Sequence, residues 1–101
     1  MPKYAARVDE NQKAIAQALR QAGARVAECH AVGAGFPDLS VGWQGGTYLI
    51  EVKNPAKPKS QRQLTDAQVR WHNEWRGHVA VVETVRDALE AIGIPYKGTI
   101  R

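Results

Sequence analysis

An α/β fold, a mixed β-sheet flanked by helices in the order αβββαβα, is predicted by three observations. Apolar residues recur at helical spacing in three separate stretches. Four short runs between them alternate or are β-branched, and a glycine pair joins two of these as a hairpin requires. Each helical stretch has a polar starter and a glycine stop.

Taken in order, Asp9 followed three residues later by Gln12 has the pattern of a capping box, and Ile15, Ala18, Leu19 and Ala22 then share one helical face until Gly23. Residues 25–30, with Val26 among them, read as a short strand, and residues 31–37 (AVGAGFP) as a glycine-broken connection. Leu39, Val41 and Trp43 alternate with polar or small residues. After Gly45-Gly46, Tyr48, Ile50 and Val52 alternate with Thr47, Leu49, Glu51 and Lys53. A second capping box, Thr65 with Gln68, opens a helix that Leu64 and Val69 would staple and that Gly77 would end. Residues 79–82 form a short β-branched run expected to be a buried strand. Thr84 and Asp87 open a last helix through Ala88, Leu89 and Ile92 to Gly93, and the tail from Pro95 reads as loose.

Hairpin parity decides which side chains become neighbours. With Gly45 and Gly46 as the central turn residues, Asp38 faces Lys53, Ser40 faces Glu51, and Leu39, Val41 and Trp43 meet Val52, Ile50 and Tyr48. One face is then wholly apolar and the other carries Asp38, Glu51 and Lys53. A loop one residue longer would mix the faces and bury charge, so burial selects this parity.

At 101 residues the chain suits a single domain, and 44% hydrophobic with 24% charged residues is a globular balance that argues against disorder, collagen-like repeats and coiled coil. No apolar run approaches the ~20 residues that cross a bilayer, and no signal-peptide stretch opens the chain, so a cytoplasmic setting is expected. The lone Cys29 forms no internal disulfide and no thiolate metal site by itself; it reads as core filler in a reducing compartment. The net charge of +4 arises in one segment, residues 53–62, which holds Lys53, Lys57, Lys59 and Arg62 and no acid. With its two prolines it reads as an exposed loop, either a solvated linker or a phosphate contact.

The polar face of the hairpin has two readings. Cross-strand ion pairs worth roughly 0.2 to 1 kcal/mol each would explain it as surface. Alternatively, Asp38 and Glu51 supply hard oxygens for Mg²⁺, which keeps waters and recruits a phosphate, with the Lys53 ammonium beside the attacked phosphorus.

Pro37-Asp38, followed after a twelve-residue gap by Glu51-Val52-Lys53, resembles the signature of the PD-(D/E)XK nuclease superfamily. The succession GFPDL, alternating hairpin, EVK, basic loop, LTDAQ and helix is similar to its VRR-NUC branch, particularly small stand-alone phage and bacterial members, over most of residues 7–93. The resemblance implies a restriction-endonuclease-like core within one domain spanning residues 1–101, in a bacterial or phage-infected cell. It also implies Mg²⁺- or Mn²⁺-dependent hydrolysis of DNA, including junction, flap or branched DNA, leaving a 5′-phosphate and a 3′-hydroxyl. Asp38, Glu51 and the Val52 carbonyl would be metal ligands. Lys53 would orient water or stabilise developing charge, and Gln68 would face the site, although it equally closes the Thr65 capping box. Lys57, Lys59, Arg62 and Arg70, with Arg76, would hold the nucleic-acid backbone. For the acid that the family often places on its first helix, this chain offers Asp9, Glu10 and Asn11, of which Asn11 shares the apolar face.

Cutting two strands favours a symmetric dimer. The competing function is a non-catalytic nucleic-acid-binding or protein-interaction module of the same fold. A metal-independent hydrolase using His30, His72 or His78 lacks a nucleophile motif. Trp71 and Trp75, four apart, suit a core or dimer surface better than base stacking.

Overall fold

Among the described residues three helices and four strands follow one another as α1 (Glu10–Gln21), β1 (Arg25–Glu28), β2 (Leu39–Trp43), β3 (Gly46–Val52), α2 (Asp66–Glu74), β4 (His78–Val82) and α3 (Val85–Ala91), in the expected order. A 3-10 turn, Lys59–Gln61, interrupts the basic loop. The computed structural model describes residues 9–95. The tail beyond Pro95, and residues 7 and 8 of the expected core, lie outside the described residues.

α1 forms because Ile15, Ala16 and Leu19 make one buried stripe, with Ala16 taking the place expected of Ala18. Its start differs from expectation. Asp9 is the N-cap but its side chain makes no capping bond, so the Asp9–Gln12 box does not form. At the other end Gly23, at φ +105°, donates to Arg20 O while Ala24 N reaches Leu19 O, a Schellman stop that only a left-handed residue permits.

The sheet runs β1-β2-β3-β4, antiparallel through the first three strands and parallel between β3 and β4, hence mixed. Leu39 opposes Ile50, Val41 opposes Tyr48 and Trp43 opposes Gly46. The tight turn is therefore Gln44-Gly45, at φ +49° and +84°, and not Gly45-Gly46. Tyr48 explains the choice: its ring lies over Gly46, 3.1 Å from where a Cβ would stand, so Gly46 is needed inside the strand. The register moves by two residues, which corrects the pairings Asp38–Lys53 and Ser40–Glu51 but preserves both faces, because side chains repeat with period two. Ser40 opposes Leu49, and continuing the ladder sets Asp38 across from Glu51.

α1 and α3 cover the apolar face. Ile15 and Leu19 pack with Val26, Leu39, Val41, Ile50, Val82, Ala88 and Ile92, and each large side chain so buried contributes about 1.5–3 kcal/mol. α2 lies over the opposite face with none of its residues fully buried. It ends at Glu74, before the expected Gly77, because Trp75 turns extended at ψ 139° and its indole N–H reaches His78 O at 3.3 Å. β4 is an edge strand; only Val82 is buried and Val81 is 46% exposed, which corrects the fully buried strand expected there. Cys29 is half-buried and outside the core cluster, not filler within it. Trp71 and Trp75 stack on one another at 4.9 Å, also outside that cluster, and Phe36 meets Trp71 edge-on at 5.3 Å. Among the described residues no helix is long and apolar enough to cross a membrane.

Candidate active site

Asp38 sits just before β2 and Glu51 at the far end of β3, so the β2–β3 register brings the two carboxylates to one end of the sheet. Asp38 is fixed through its own oxygen: Oδ2 accepts the Val52 N–H at 2.8 Å, and Asp38 O accepts Cys29 N at 2.7 Å. The side chain thus continues the ladder one step past its last backbone pair. A residue's N–H and C=O leave a strand on the same side, so the Val52 carbonyl emerges on the Asp38 side.

Lys53 and Glu51 are two apart and share a face. The Lys53 ammonium lies 3.5 Å from Glu51 Oε2, both side chains being largely withdrawn from water. Gln68 ties them together: its Nε2 donates to Glu51 Oε2 at 2.9 Å and its Oε1 accepts Lys53 Nζ at 2.9 Å. The same Oε1 accepts the Thr65 N–H at 2.9 Å, so the helix cap and the site contact coexist in one amide. The capping box sets where Gln68 starts its helix, and Gly35 sets where the helix lies. A Cβ on Gly35 would stand 2.5 Å from Ala67 O and 3.2 Å from Gln68 N, so only glycine lets the 31–37 connection press against the first turn of α2.

Electrostatically the centre is strained. Burial, then the Asp38 carboxylate, push the Glu51 carboxyl up to about 7, with Lys53 opposing. His72 is pushed below the ordinary imidazole range by burial and then by the Lys53 ammonium. A cavity of about 390 Å³ opens here, lined by Asp9, Gln12, His30, Asp38, Glu51, Val52 and Lys57.

The residues fit a hard divalent cation. Glu51 Oε1 is buried with no hydrogen-bond partner, and it shares the cavity with the Asp38 carboxylate and Val52, while Asp9 and His30 line it from exposed positions. Among the described residues no three His, Cys, Asp or Glu side chains gather at one point. That set suits an ion that keeps waters and phosphate oxygens, as Mg²⁺ does.

The structure thus brings together Asp38, Glu51, Val52, Lys53 and Gln68. Lys57 lies at the cavity and Lys59 is exposed on the adjoining turn. Arg62 is engaged elsewhere, at 3.2 Å from Glu83. Arg70 lines a separate groove with Ala34, Ala67, Trp71 and Glu74, and Arg76 folds onto the Asn73 carbonyl. Of the first-helix candidates, Asn11 donates to Lys53 O at 2.9 Å and so clamps strand ends rather than lining the cavity. His78 stacks on Tyr48 at 4.7 Å, away from the cavity that His30 lines, so the three histidines do not assemble a common centre. Asp9, one of the first-helix candidates, lines the cavity, as does His30, which the sequence suggested only for a metal-independent hydrolase; Gln12 was not among the expected site residues. For Gln12 the signal was present: it shares a helical stripe with Ile15, Ala16 and Leu19, but its assignment to a capping box concealed that.

No family model and no curated protein matches the sequence. In structure the chain is similar to a solved "VRR_NUC domain", at a TM-score of 0.61 and 24% identity, over 84% of this chain and 92% of that one. The chain has the mixed-sheet α/β fold of that domain.

Proposed function

We propose that this protein hydrolyses phosphodiester bonds of DNA with the aid of Mg²⁺ or Mn²⁺. The observation that carries the reading is the convergence of Asp38 and Glu51 on one cavity beside the paired Lys53 and Gln68. Asp38, Glu51 and the Val52 carbonyl would hold the cation, which when bound acidifies water and neutralises charge on the phosphate.

This chain's own residues do the rest. Glu51, whose carboxyl burial and Asp38 raise to about 7, would release its proton to solvent and serve as an anionic ligand when the cation is held. Lys53, held at its tip by Gln68, presents fixed positive charge to the phosphate as negative charge grows on it. Gln68 is a positioning residue, since it touches Lys53 and Glu51 and is itself anchored by Thr65. Lys57 and Lys59 contact the DNA backbone, which gives salt-dependent binding with little sequence preference. Branched DNA, junctions and flaps included, is the substrate class to compare first with linear duplex. Two such sites in a homodimer would cut both strands.

The test is cleavage of labelled linear, nicked and branched DNA with Mg²⁺, with Mn²⁺ and with EDTA. Cation-dependent cleavage that Asp38→Asn abolishes supports the reading. Binding without cleavage under every condition would make the chain a nucleic-acid-binding module of the same fold.

A further inference from the structure

The cavity that holds Asp38 and Glu51 has a third inward group, and it is neutral. Gln12, on the first turn of α1, is 7% exposed and lines the same cavity, with Nε2 buried and unpartnered. Glu51 Oε1 is also buried and unpartnered, so the two groups do not satisfy each other. Buried polar groups are rarely left open, and these two are opposite in kind: an acceptor that can bear charge and a neutral donor. A cation answers the first, and an oxygen carried by that cation, whether of water or of phosphate, answers the second.

We propose that Gln12 is a positioning residue that donates Nε2–H to an oxygen held by the bound cation, and that its neutrality limits the cavity to one divalent cation per chain. The inference rests on the cation-site reading given above. Asp38 and Glu51 together carry two negative charges, which balance one divalent ion. Asp9 and His30 line the cavity from exposed positions, and among the described residues they complete no three-group cluster with the carboxylates.

Calorimetric titration of Mn²⁺ into the whole chain, without DNA, tests this. One equivalent should bind the wild type. Gln12→Ala should keep one equivalent with affinity changed by less than about threefold, because the amide is not a ligand. Gln12→Glu should bind a second equivalent or tighten the first by about tenfold or more. In cleavage assays Gln12→Ala should lower kcat about tenfold at unchanged KM, since the donor acts on the reacting oxygen after binding. Two equivalents in the wild type, a loss beyond tenfold in Gln12→Ala, a Gln12→Glu titration identical to wild type, or an unchanged kcat would each overturn the proposal. A wild type that binds no Mn²⁺ would instead remove the cation-site reading beneath it, so the two failures are distinct.

Discussion

The Gln68 amide oxygen accepts the Lys53 ammonium at 2.9 Å, and through this bond the start of α2 is coupled to the end of β3. Gln68 also accepts the Thr65 N–H and donates to Glu51, so the geometry of the charged centre depends on where one helix begins. α2 buries none of its residues fully, and the polar contacts and the 31–37 connection therefore have an unusually large share in placing it.

Asp38 has two separable roles. Asp38→Asn keeps an oxygen for the Val52 N–H and should leave the melting temperature within a few degrees. Cation-dependent cleavage should fall by roughly 10²-fold or more. Asp38→Ala leaves the Val52 N–H without its partner and should cost about 1–3 kcal/mol in addition. DNA binding should persist in both, because a carboxylate repels phosphate. Cleavage assays beside thermal melts decide it: an active Asp38→Asn protein removes Asp38 from the chemistry.

Stability of the metal-free protein should fall as pH rises from about 4.5 to about 7. The Glu51 carboxyl is raised from 4.5 to about 7 on folding, so folding favours its protonated form, and that contribution is lost once the folded group ionises. A gap of this size corresponds to a few kcal/mol at most. Glu51→Gln should flatten this part of the profile and melt above wild type near pH 8. Added Mg²⁺ should restore more stability at pH 8 than at pH 5.5, because the cation competes with the proton. Parallel pH profiles for wild type and variant would expose an error in sign.

Glycine at 35 is required by space as well as by backbone. Gly35 and Gly45 both sit at φ +84°, but a Cβ on Gly45 meets nothing within 4 Å, whereas on Gly35 it collides with Ala67. Gly45→Ala should therefore cost only the strain of a left-handed alanine, about 1 kcal/mol, and keep cleavage. Gly35→Ala should cost about 1–3 kcal/mol more and lower cleavage by displacing Gln68. Equal melting temperatures for the two would contradict the close approach.

The basic loop divides its work. Lys57→Ala with Lys59→Ala should weaken DNA binding and reduce the slope of log affinity against log salt by about 2, close to 0.9 for each phosphate no longer neutralised. Arg62→Ala should leave that slope unchanged and instead lower stability by up to about 1 kcal/mol, because Arg62 is paired with Glu83. Fluorescence anisotropy across a salt series separates them.

Local chemistry made much of this legible beforehand. Thr65 with Gln68 forms the capping box its spacing foretold, Thr84 with Asp87 opens its helix as expected, and Gly23 and Gly93 close helices at positive φ. Glu51 and Lys53 share a face as any strand residues two apart do, and the apolar set Leu39, Val41 and Ile50 became core. Such features depend on neighbours a few residues away, and periodicity alone reports them.

What the tertiary structure alone decided depends on contacts distant in sequence. The Tyr48 ring over Gly46 moved the turn and so placed Asp38 across from Glu51 rather than Lys53. The side chain of Gln12 was left facing the carboxylates, Arg62 was drawn to Glu83, and burial together with Asp38 raised the Glu51 carboxyl to about 7. Spacing states which face a side chain takes, but its partner and its proton are set by packing, because both follow from distance and from the exclusion of water.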